Sequence, residues 1–411
     1  MTPPVALSRR LLPALLLVLT VFGPISMDLY LPALPALTRD LGSATSVAQL
    51  TVTACLIGLA VGQLTAGPLS DRLGRRRVLL VGIVAYAVTS LLCAFSPTVE
   101  FLIVARLVQG LAGGVGIVIA NAAGRDVYAG GQLIRFYGRL TVVGGLAAII
   151  GPLLGGVLTA FTDWRGLFVF LAIAGVAILA ATVFLFGETL PVEQRSSGGL
   201  RNALHDFRTL LSDRVFLGAV LNQGFLYAAL FAYLAGATFV LQDVYGLTPQ
   251  GYAAAFGANS AGFMVCGYLA GRAAERWSVR GTLAVGVVVT AAGALGLLLA
   301  GLTPLPMLPV LAALFTLASG VAVASPPATT LALSEHPQSA GTASSLLGVA
   351  RFGFGGVAAP FVGIAGASSI LPLGIVTTVS AALGGLSYLM LARARRAAVL
   401  PASGSELAAR H

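Results

Sequence analysis

The chain has 411 residues, of which 57% are hydrophobic and only 9% are charged. Soluble domains carry roughly 25% charged residues, and this composition excludes a water-soluble globule because so few ionisable groups would leave large apolar patches exposed. All 24 basic residues are arginine, which excludes chemistry that needs a lysine ε-amine, such as a P-loop ATPase site or Schiff-base catalysis.

Twelve apolar stretches are long enough to cross about 30 Å of hydrocarbon. We therefore predict an all-α polytopic membrane protein with twelve transmembrane helices, over residues 11–37, 46–67, 77–95, 100–123, 138–160, 165–187, 215–241, 250–271, 281–301, 306–332, 340–364 and 368–392. The first stretch continues past Asp28 without a convincing small-residue cleavage site, which favours a retained helix over a signal peptide.

One long polar stretch, residues 188–214, divides the chain, and we interpret it as a cytoplasmic linker. The segment Gly67 to Arg72 at the end of the second helix has a counterpart 200 residues later, Gly267 to Arg272, at the end of the eighth helix. This repeat predicts two pseudo-symmetric six-helix bundles, 1–187 and 215–392, followed by a tail over 393–411, with a substrate path between the bundles.

The arginines are distributed very unevenly between the predicted loops. If the N-terminus is cytoplasmic, the cytoplasmic segments hold 20 arginines and the opposite loops hold only Arg39 and Arg165. The positive-inside rule then places both termini in the cytoplasm, in a multi-pass protein of the inner membrane whose main partner is the lipid bilayer. We expect a monomer without a nucleic-acid partner, since the basic residues lie in short loops between apolar runs.

Three motifs resemble those of the major facilitator superfamily. The loop from Gly67 to Arg77, with the sequence GPLSDRLGRRR, matches the family's loop between helices two and three nearly position for position. The stretch Arg106 to Gly110 resembles the helix-four pattern, and Gly151 to Gly156 resembles the helix-five pattern of exporters. Four further segments resemble one branch of the family, the bicyclomycin and chloramphenicol resistance transporters. They are residues 28–35, 231–234, 241–246 and 340–346.

This resemblance implies a proton-coupled multidrug efflux antiporter that exports small amphipathic antibiotics or toxicants by alternating access. It implies no cofactor besides the coupling protons. An importer or uniporter of the same fold, or an exporter of one specific metabolite, stays open because a fold does not set the direction of transport. An enzyme is not expected, since the sequence has no cluster of nucleophile and base and its three cysteines lie in hydrophobic segments without metal-ligand spacing.

Asp28 is the only carboxylate well inside a predicted helix. A charge at membrane depth costs about 2.5–3.5 kcal/mol on insertion scales, and a carboxylic acid that moves between wet and drier surroundings can take up and release a proton. We interpret Asp28 as the proton site. The alternative is a carboxylate at the outer rim that caps the helix break made by Pro32 and Pro35.

Arg106 lies in the first third of the fourth predicted helix, close to the expected depth of Asp28. The resemblance implies a role in proton coupling, and a pair of Arg106 with Asp28 is geometrically plausible. The alternative is that its guanidinium bonds backbone carbonyls and holds the first and fourth helices together.

We interpret the loop between helices two and three as a gate. Asp71 and Arg75 are four residues apart and are expected to share one helical face. The resemblance implies that Asp71 caps the eleventh helix and that Arg75 reaches Asp126, which together would latch the outward-open state. A solvated loop that only obeys the positive-inside rule is the alternative. The complete set of gating residues is Gly67, Asp71, Arg72, Gly74, Arg75, Arg125 and Asp126.

The helix-five pattern consists of Gly151, Pro152, Gly155 and Gly156, which give that helix a small, bent face. Small residues spaced in this way often serve helix packing alone. The resemblance implies instead a seal between helices five and eight, and the sequence leaves both interpretations open. In either case Gly151→Leu is expected to be harmful.

Polar and aromatic residues stranded in apolar helices are the candidates for a substrate cavity, although any one aromatic residue is also compatible with a lipid-facing or core position. The candidates are Tyr30, Gln109, Asn121, Asn222, Gln223, Phe225, Tyr227, Phe231, Tyr233, Asn259 and Phe352. Arg351, in the eleventh predicted helix, is a further candidate that would bind an anionic group of the substrate.

Overall fold

The computed structural model describes residues 5–128, 130–195, 207–334, 340–364, 366 and 369–399. Within them the chain forms twelve long helices, which we number in chain order: α1 Val5–Asp28, α2 Thr45–Leu73, α3 Arg75–Ala94, α4 Val99–Val127, α5 Gly130–Leu158, α6 Trp164–Leu185, α7 Arg214–Phe239, α8 Pro249–Arg276, α9 Val279–Leu302, α10 Met307–Ser334, α11 Ala340–Ala358 and α12 Leu371–Val399. Parts of the predicted linker and tail, 196–206 and 400–411, lie outside the described residues.

The all-α membrane architecture is confirmed. Eleven helices in the described part of the chain are long and apolar enough to cross a membrane. The remaining long helix, α5, begins at Gly130, eight residues before the predicted start. Each half of the chain thus contributes six long helices, with α1 to α6 before the linker and α7 to α12 after it.

The first predicted helix is not continuous. It ends at Asp28 and is followed by a 3₁₀ turn, Leu31–Ala33, and a short helix, Leu34–Asp40. Pro32 and Pro35 explain the break, because proline offers no backbone N–H and its ring disfavours a helical conformation in the residue before it. The predicted span over 11–37 thus corresponds to one apolar membrane span, Leu11–Asp40, but it is not one continuous helix, and Asp28 is the last residue of α1.

Glycine pairs bring α2 and α4 into close contact. A Cβ added at Gly58 would lie 2.7 Å from the backbone nitrogen of Leu111, and one at Gly114 would lie 2.7 Å from the carbonyl oxygen of Leu59. Both distances are shorter than real side chains allow. Gly62 and Gly110 make equally close backbone approaches, so the α2–α4 contact depends on small residues spaced four apart.

The two halves are joined at the end of the bundle where α1 ends, which we call the distal end. There the ion pair Arg39–Asp243 spans 3.2 Å, and the Thr238 hydroxyl donates to the carbonyl oxygen of Leu31 at 2.7 Å. The Gln242 side chain donates to the carbonyl oxygen of Pro32 at 3.0 Å. These contacts tie the broken segment after α1 to the end of α7 and close the distal end.

Candidate functional site

Asp28 lies between the two halves of the protein. Its residue is 8% exposed, and it borders a cavity of about 80 Å³ whose other lining residues all belong to the second half. They are Leu230, Tyr233 and Leu234 of α7, Phe256, Asn259, Ser260 and Phe263 of α8, and Ala318 of α10. The carboxylate oxygen Oδ1 has no hydrogen-bond partner. Asp28 thus faces an internal cavity, not lipid or an outer rim.

Two predicted cavity residues, Tyr233 and Asn259, line this cavity together. The Asn259 amide donates to the Tyr233 hydroxyl at 3.0 Å, which links α8 to α7. Both side chains are buried. A buried carboxylate without a partner next to an amide and a phenol is a place where a proton or a polar substrate group can be held.

Arg106 is completely buried inside the first half. Its Nη1 donates to Gln109 at 2.6 Å and to the carbonyl oxygen of Ser26 at 3.4 Å. The guanidinium lies over the rings of Tyr30, at 4.3 Å, and Phe168, at 5.5 Å. Its Nε and Nη2 have no hydrogen-bond partner. Arg106 therefore ties α4 to the end of α1 by a carbonyl bond and a ring contact.

The predicted pair of Arg106 with Asp28 is not formed. Both residues are described, and no ion pair joins them in the structure. Arg106 instead contacts the backbone carbonyl oxygen of Ser26, in the last turn of α1, and the ring of Tyr30, which follows the end of α1. The end of α1 thus contacts Arg106 in the first half, whereas the Asp28 side chain faces the second half.

Several predicted cavity residues belong to the protein core instead. Tyr30 and Gln109 are fully buried in the first half: Tyr30 shares a hydrogen bond with Thr51 at 3.0 Å, and Gln109 donates to Ser90 at 2.7 Å. Because each polar group is satisfied within its own bundle, the prediction that these two residues line the cavity was wrong.

Two asparagines among the predicted cavity residues have structural contacts as well. Asn121 donates to the carbonyl oxygen of Ile117 one turn earlier in α4, at 2.7 Å. Asn222 is fully buried and donates to the carbonyl oxygen of Gly384 in α12, at 2.8 Å. Asn222 thus joins α7 to α12, which corrects its assignment as a cavity residue. The assignment of Asn121 stays a prediction.

Arg351 joins a polar cluster between α7, α10 and α11. Its Nη2 donates to the Thr329 hydroxyl at 3.0 Å, and its guanidinium lies 5.1 Å from the ring centre of Tyr227. Gln223 donates to the Ser325 hydroxyl at 2.9 Å, and the Tyr227 and Ser325 hydroxyls are 3.4 Å apart. The sequence analysis missed Ser325 and Thr329, although two hydroxyl residues four apart in an apolar helix were the available signal.

Aromatic side chains lie beside this polar cluster. The Phe231 ring lies 6.1 Å from Tyr227 and 5.8 Å from Phe352. Phe225 points elsewhere, since it contacts Phe354 at 5.0 Å and lines an apolar groove of about 640 Å³ with residues of α2, α11 and α12. The assignment of Phe225 to a cavity that also contains Tyr227 was therefore wrong.

Arg75 is the centre of the gate loop. Its guanidinium contacts Asp71 at 2.5 Å, Ser70 at 2.7 Å and Asp126 at 3.1 Å, and its residue is buried. The Arg75–Asp126 contact is the one that the family resemblance implies. Asp71 and Arg75 do not share one helical face, however, because Gly74, with φ +93°, ends α2 and allows α3 to begin at Arg75.

Glu188, at the start of the predicted linker, belongs to the same loop cluster. Its carboxylate accepts hydrogen bonds from the backbone N–H groups of Arg75, at 2.8 Å, and Arg76, at 3.4 Å, which places a negative charge at the N-terminus of α3. Thr189 donates to Asp126 at 3.0 Å. Sequence reasoning did not find this cap, since it is 113 residues away from Arg75 along the chain.

The other gate residues have fewer contacts. Arg72 and Arg125 are exposed, and an added Cβ at Gly67 would meet only the Val118 side chain, at 3.8 Å. The implied cap of Asp71 on α11 stays a prediction.

We expect Arg75→Ala to lower the free energy of unfolding by roughly 2–3 kcal/mol, somewhat less than for a fully buried pair because Asp71 is 45% exposed. The loss follows from removing the guanidinium that pairs with Asp71 and Asp126 and donates to Ser70. Thermal unfolding in detergent measures it. Arg77→Ala, at an exposed site on the same helix, is the control, and an equal loss in both variants would contradict the prediction.

The helix-five glycines contact both α1 and α8. A Cβ at Gly151 would lie 2.9 Å from the Cβ of Asp28, and one at Gly155 would overlap the carbonyl oxygen of Leu29. Gly156 faces Ala253 of α8, and Gln250 of α8 donates to the Gly156 carbonyl oxygen at 3.1 Å. The pattern thus provides close packing on α1 and a distal contact with α8, and Pro152 lies between these glycines.

Comparison with known proteins identifies the family. The model of the Major Facilitator Superfamily matches residues 16–360. The chain belongs to this superfamily. It is 34% identical to an uncharacterized MFS-type transporter, YdgK, of Bacillus subtilis (strain 168), over 95% of this chain and 98% of that protein. It is 28% identical to a bicyclomycin resistance protein homolog of Haemophilus influenzae, over 83% of this chain and 85% of the relative.

The fold of the chain is also similar to those of solved transporters. A crystal structure of a D-xylose-proton symporter matches with a TM-score of 0.73 and 15% identity, over 94% of this chain and 97% of the other. Membership of the Major Facilitator Superfamily, with the apolar helices described above, makes the protein a multi-pass membrane transporter and not an enzyme. The predicted family is confirmed, and the names of several relatives, which refer to drug resistance, agree with the predicted branch.

Proposed function

We propose that the protein is a proton-coupled multidrug efflux antiporter of the bacterial cytoplasmic membrane, with both termini in the cytoplasm. In this proposal it acts as a monomer in the lipid bilayer and uses no cofactor besides the coupling proton. The observation that carries the proposal is the position of Asp28, a buried carboxylate with an unpartnered oxygen, at a cavity between the halves.

Alternating access would move Asp28 between two environments. With the halves separated at the distal end, Asp28 would take up a proton from that side. In the distally closed conformation described above, the proton would leave towards the cytoplasm and a cationic substrate would take its place beside the carboxylate. A proton bound from one side is then released to the other, and substrate that binds at the same cavity is carried the opposite way.

The contacts that close the distal end suit a reversible gate. The Arg39 side chain is 68% exposed and its partner Asp243 is 26% exposed, and exposed ion pairs contribute about 0–1 kcal/mol. The other polar contacts there are single hydrogen bonds to backbone carbonyl oxygens, two in the segment after α1 and one at Gly156 of α5. A few weak contacts of this kind hold a conformation without making it permanent.

Arg106 acts in this proposal as a positioning residue. It has no contact with the Asp28 carboxylate, but its bond to the Ser26 carbonyl oxygen and its position over Tyr30 fix the last turn of α1. Fixing that turn sets the direction in which Asp28 points. The drug-resistance names of several relatives support export of drug-like compounds.

Inverted membrane vesicles test the proposal. Ethidium, an amphipathic cation with a fluorescence readout, is expected to accumulate inside vesicles when the interior is acidified, and to leave when an uncoupler is added. Vesicles without the protein control for passive binding. Accumulation that is indifferent to the uncoupler would contradict antiport, and flux that only follows the ethidium gradient would favour a uniporter.

A further inference from the structure

Arg351 is a permanent cation in a membrane helix without an acidic partner. Within the described part of the chain, no carboxylate oxygen lies within 4.0 Å of its nitrogen atoms. Its contacts are neutral: the Thr329 hydroxyl and the face of the Tyr227 ring. Its Nε has no hydrogen-bond partner. A charged residue at this depth is costly and commonly marks a substrate or ion pathway.

The orientation of α11 directs Arg351 to the interior. Gly348 and Gly355, three residues before and four residues after Arg351, lie on the same side of the helix. Added Cβ atoms at these glycines would contact Gln63 of α2 and Phe231 of α7, respectively. The opposite side of α11, which includes Val349, Gly353 and Val357, lines the apolar groove.

Two helix faces lead from Arg351 to the cavity at Asp28. On α7, Tyr227 beside Arg351 is followed at three and seven residues by Leu230 and Leu234, which line the Asp28 cavity. Residues with this spacing share one face of a helix. From Tyr227 to Leu234 the rise along α7 is about 10 Å.

The same arrangement occurs on α10. Ala318 lines the Asp28 cavity, and Ser325 and Thr329 follow at seven and eleven residues, on the same face. The two helices therefore form a common path, with a carboxylate at one end and a guanidinium surrounded by hydroxyl groups at the other.

We propose that Arg351 binds the carboxylate of an elongated zwitterionic substrate whose basic end lies at Asp28. This inference rests on the proposed function and adds the class of substrate: elongated amphipathic molecules with a carboxylate at one end and an amine at the other. A guanidinium binds a carboxylate by two parallel hydrogen bonds. Ser325 and Thr329 supply further hydroxyl donors, and Phe231 and Phe352 supply apolar surface between the ends.

Three related probes distinguish the contributions of the two charged ends of such a substrate to binding. Norfloxacin is fluorescent and carries a carboxylate and a secondary amine, its methyl ester lacks the anionic group, and its N-acetyl derivative lacks the basic group. Binding to the purified full chain in detergent is measured by fluorescence titration and by thermal stabilisation. We expect the wild type to bind norfloxacin more tightly than either derivative.

Substitution of Arg351 tests the site. Arg351→Gln is expected to weaken binding of norfloxacin and of the N-acetyl derivative at least tenfold and to leave binding of the methyl ester unchanged. Arg351→Lys keeps the charge without the planar fork and is expected to be intermediate, and it keeps the test available if the glutamine variant does not fold. Arg276→Gln, at an exposed site on α8, is the control and should match the wild type.

The outcomes separate this inference from the proposed antiport. Equal affinity of wild type and Arg351→Gln for norfloxacin, or no binding of norfloxacin to the wild type, would overturn the inference. An equal loss for carboxylate and ester would also overturn it, since it would indicate a structural role for Arg351. Binding in detergent needs no proton gradient, so a failure of gradient-driven ethidium transport alone would reject the antiport and leave the anion site standing.

Discussion

Vesicles that contain Asp28→Asn are expected to lose gradient-driven accumulation of ethidium, with a decrease of about tenfold or more. The amide has nearly the same shape as the carboxylic acid but neither binds nor releases a proton near neutral pH. A variant that keeps the cavity but not the exchangeable proton cannot couple the proton gradient to transport. Accumulation is measured by ethidium fluorescence after acidification of the vesicle interior.

Controls distinguish a coupling defect from a folding defect. Asp28→Asn should be expressed and should unfold at or above the wild-type temperature, because it removes a buried ionisable group without a partner. Asp28→Glu keeps a titratable group and is expected to retain part of the accumulation. Glu100→Gln, an exposed change at the distal end, should transport normally. If Asp28→Asn still accumulates ethidium under a proton gradient, the proton site lies elsewhere.

The number of membrane helices could be predicted from the sequence because hydrophobic length is a local property. Their ends were less predictable. Helix α1 ends at Asp28 because Pro32 and Pro35 interrupt it, and hydropathy does not register this break. Helix α5 begins at Gly130, eight residues before the predicted start, since a helix can continue beyond the part that hydrocarbon requires.

The sequence indicated which charged residues belong to the candidate site, but not which way their side chains face. A charged residue in an apolar stretch is visible in the sequence, which is why Asp28, Arg106 and Arg351 were found. The side of the helix on which each residue acts depends on the rotation of that helix in the bundle. Arg106 therefore turned out to contact the first half, while Asp28 faces the second.

Contacts between segments distant in the chain were the least predictable. Glu188 caps α3 from the start of the linker, and Thr329 supports Arg351 from a neighbouring helix. Glu188 belongs to no motif, and the spacing of Thr329 from Ser325 does not indicate that its partner is Arg351. Their roles follow only from the packing of the helices, because a hydrogen-bond partner is chosen by distance in space and not along the chain.

The glycines of α5 connect packing to the proposed proton site, and substitution there should have the second large effect. Gly155→Ala is expected to destabilise the protein by about 1–3 kcal/mol and to impair transport strongly. The added Cβ would overlap the Leu29 carbonyl oxygen, so α5 must move away from α1. That movement shifts the residue next to Asp28 and the contact between Gly156 and α8. Gly151→Leu, against the Cβ of Asp28, should be at least as harmful.

Gly144→Ala is the matched control, because it lies in the same helix and an added Cβ there meets no atom within 4 Å. Alanine is the better helix former by up to about 1 kcal/mol, so this variant should be as stable as the wild type or more stable. Thermal unfolding and ethidium accumulation are measured for all three variants. If Gly155→Ala behaves like Gly144→Ala in both measurements, the close contact of α5 with α1 does not limit the position of Asp28.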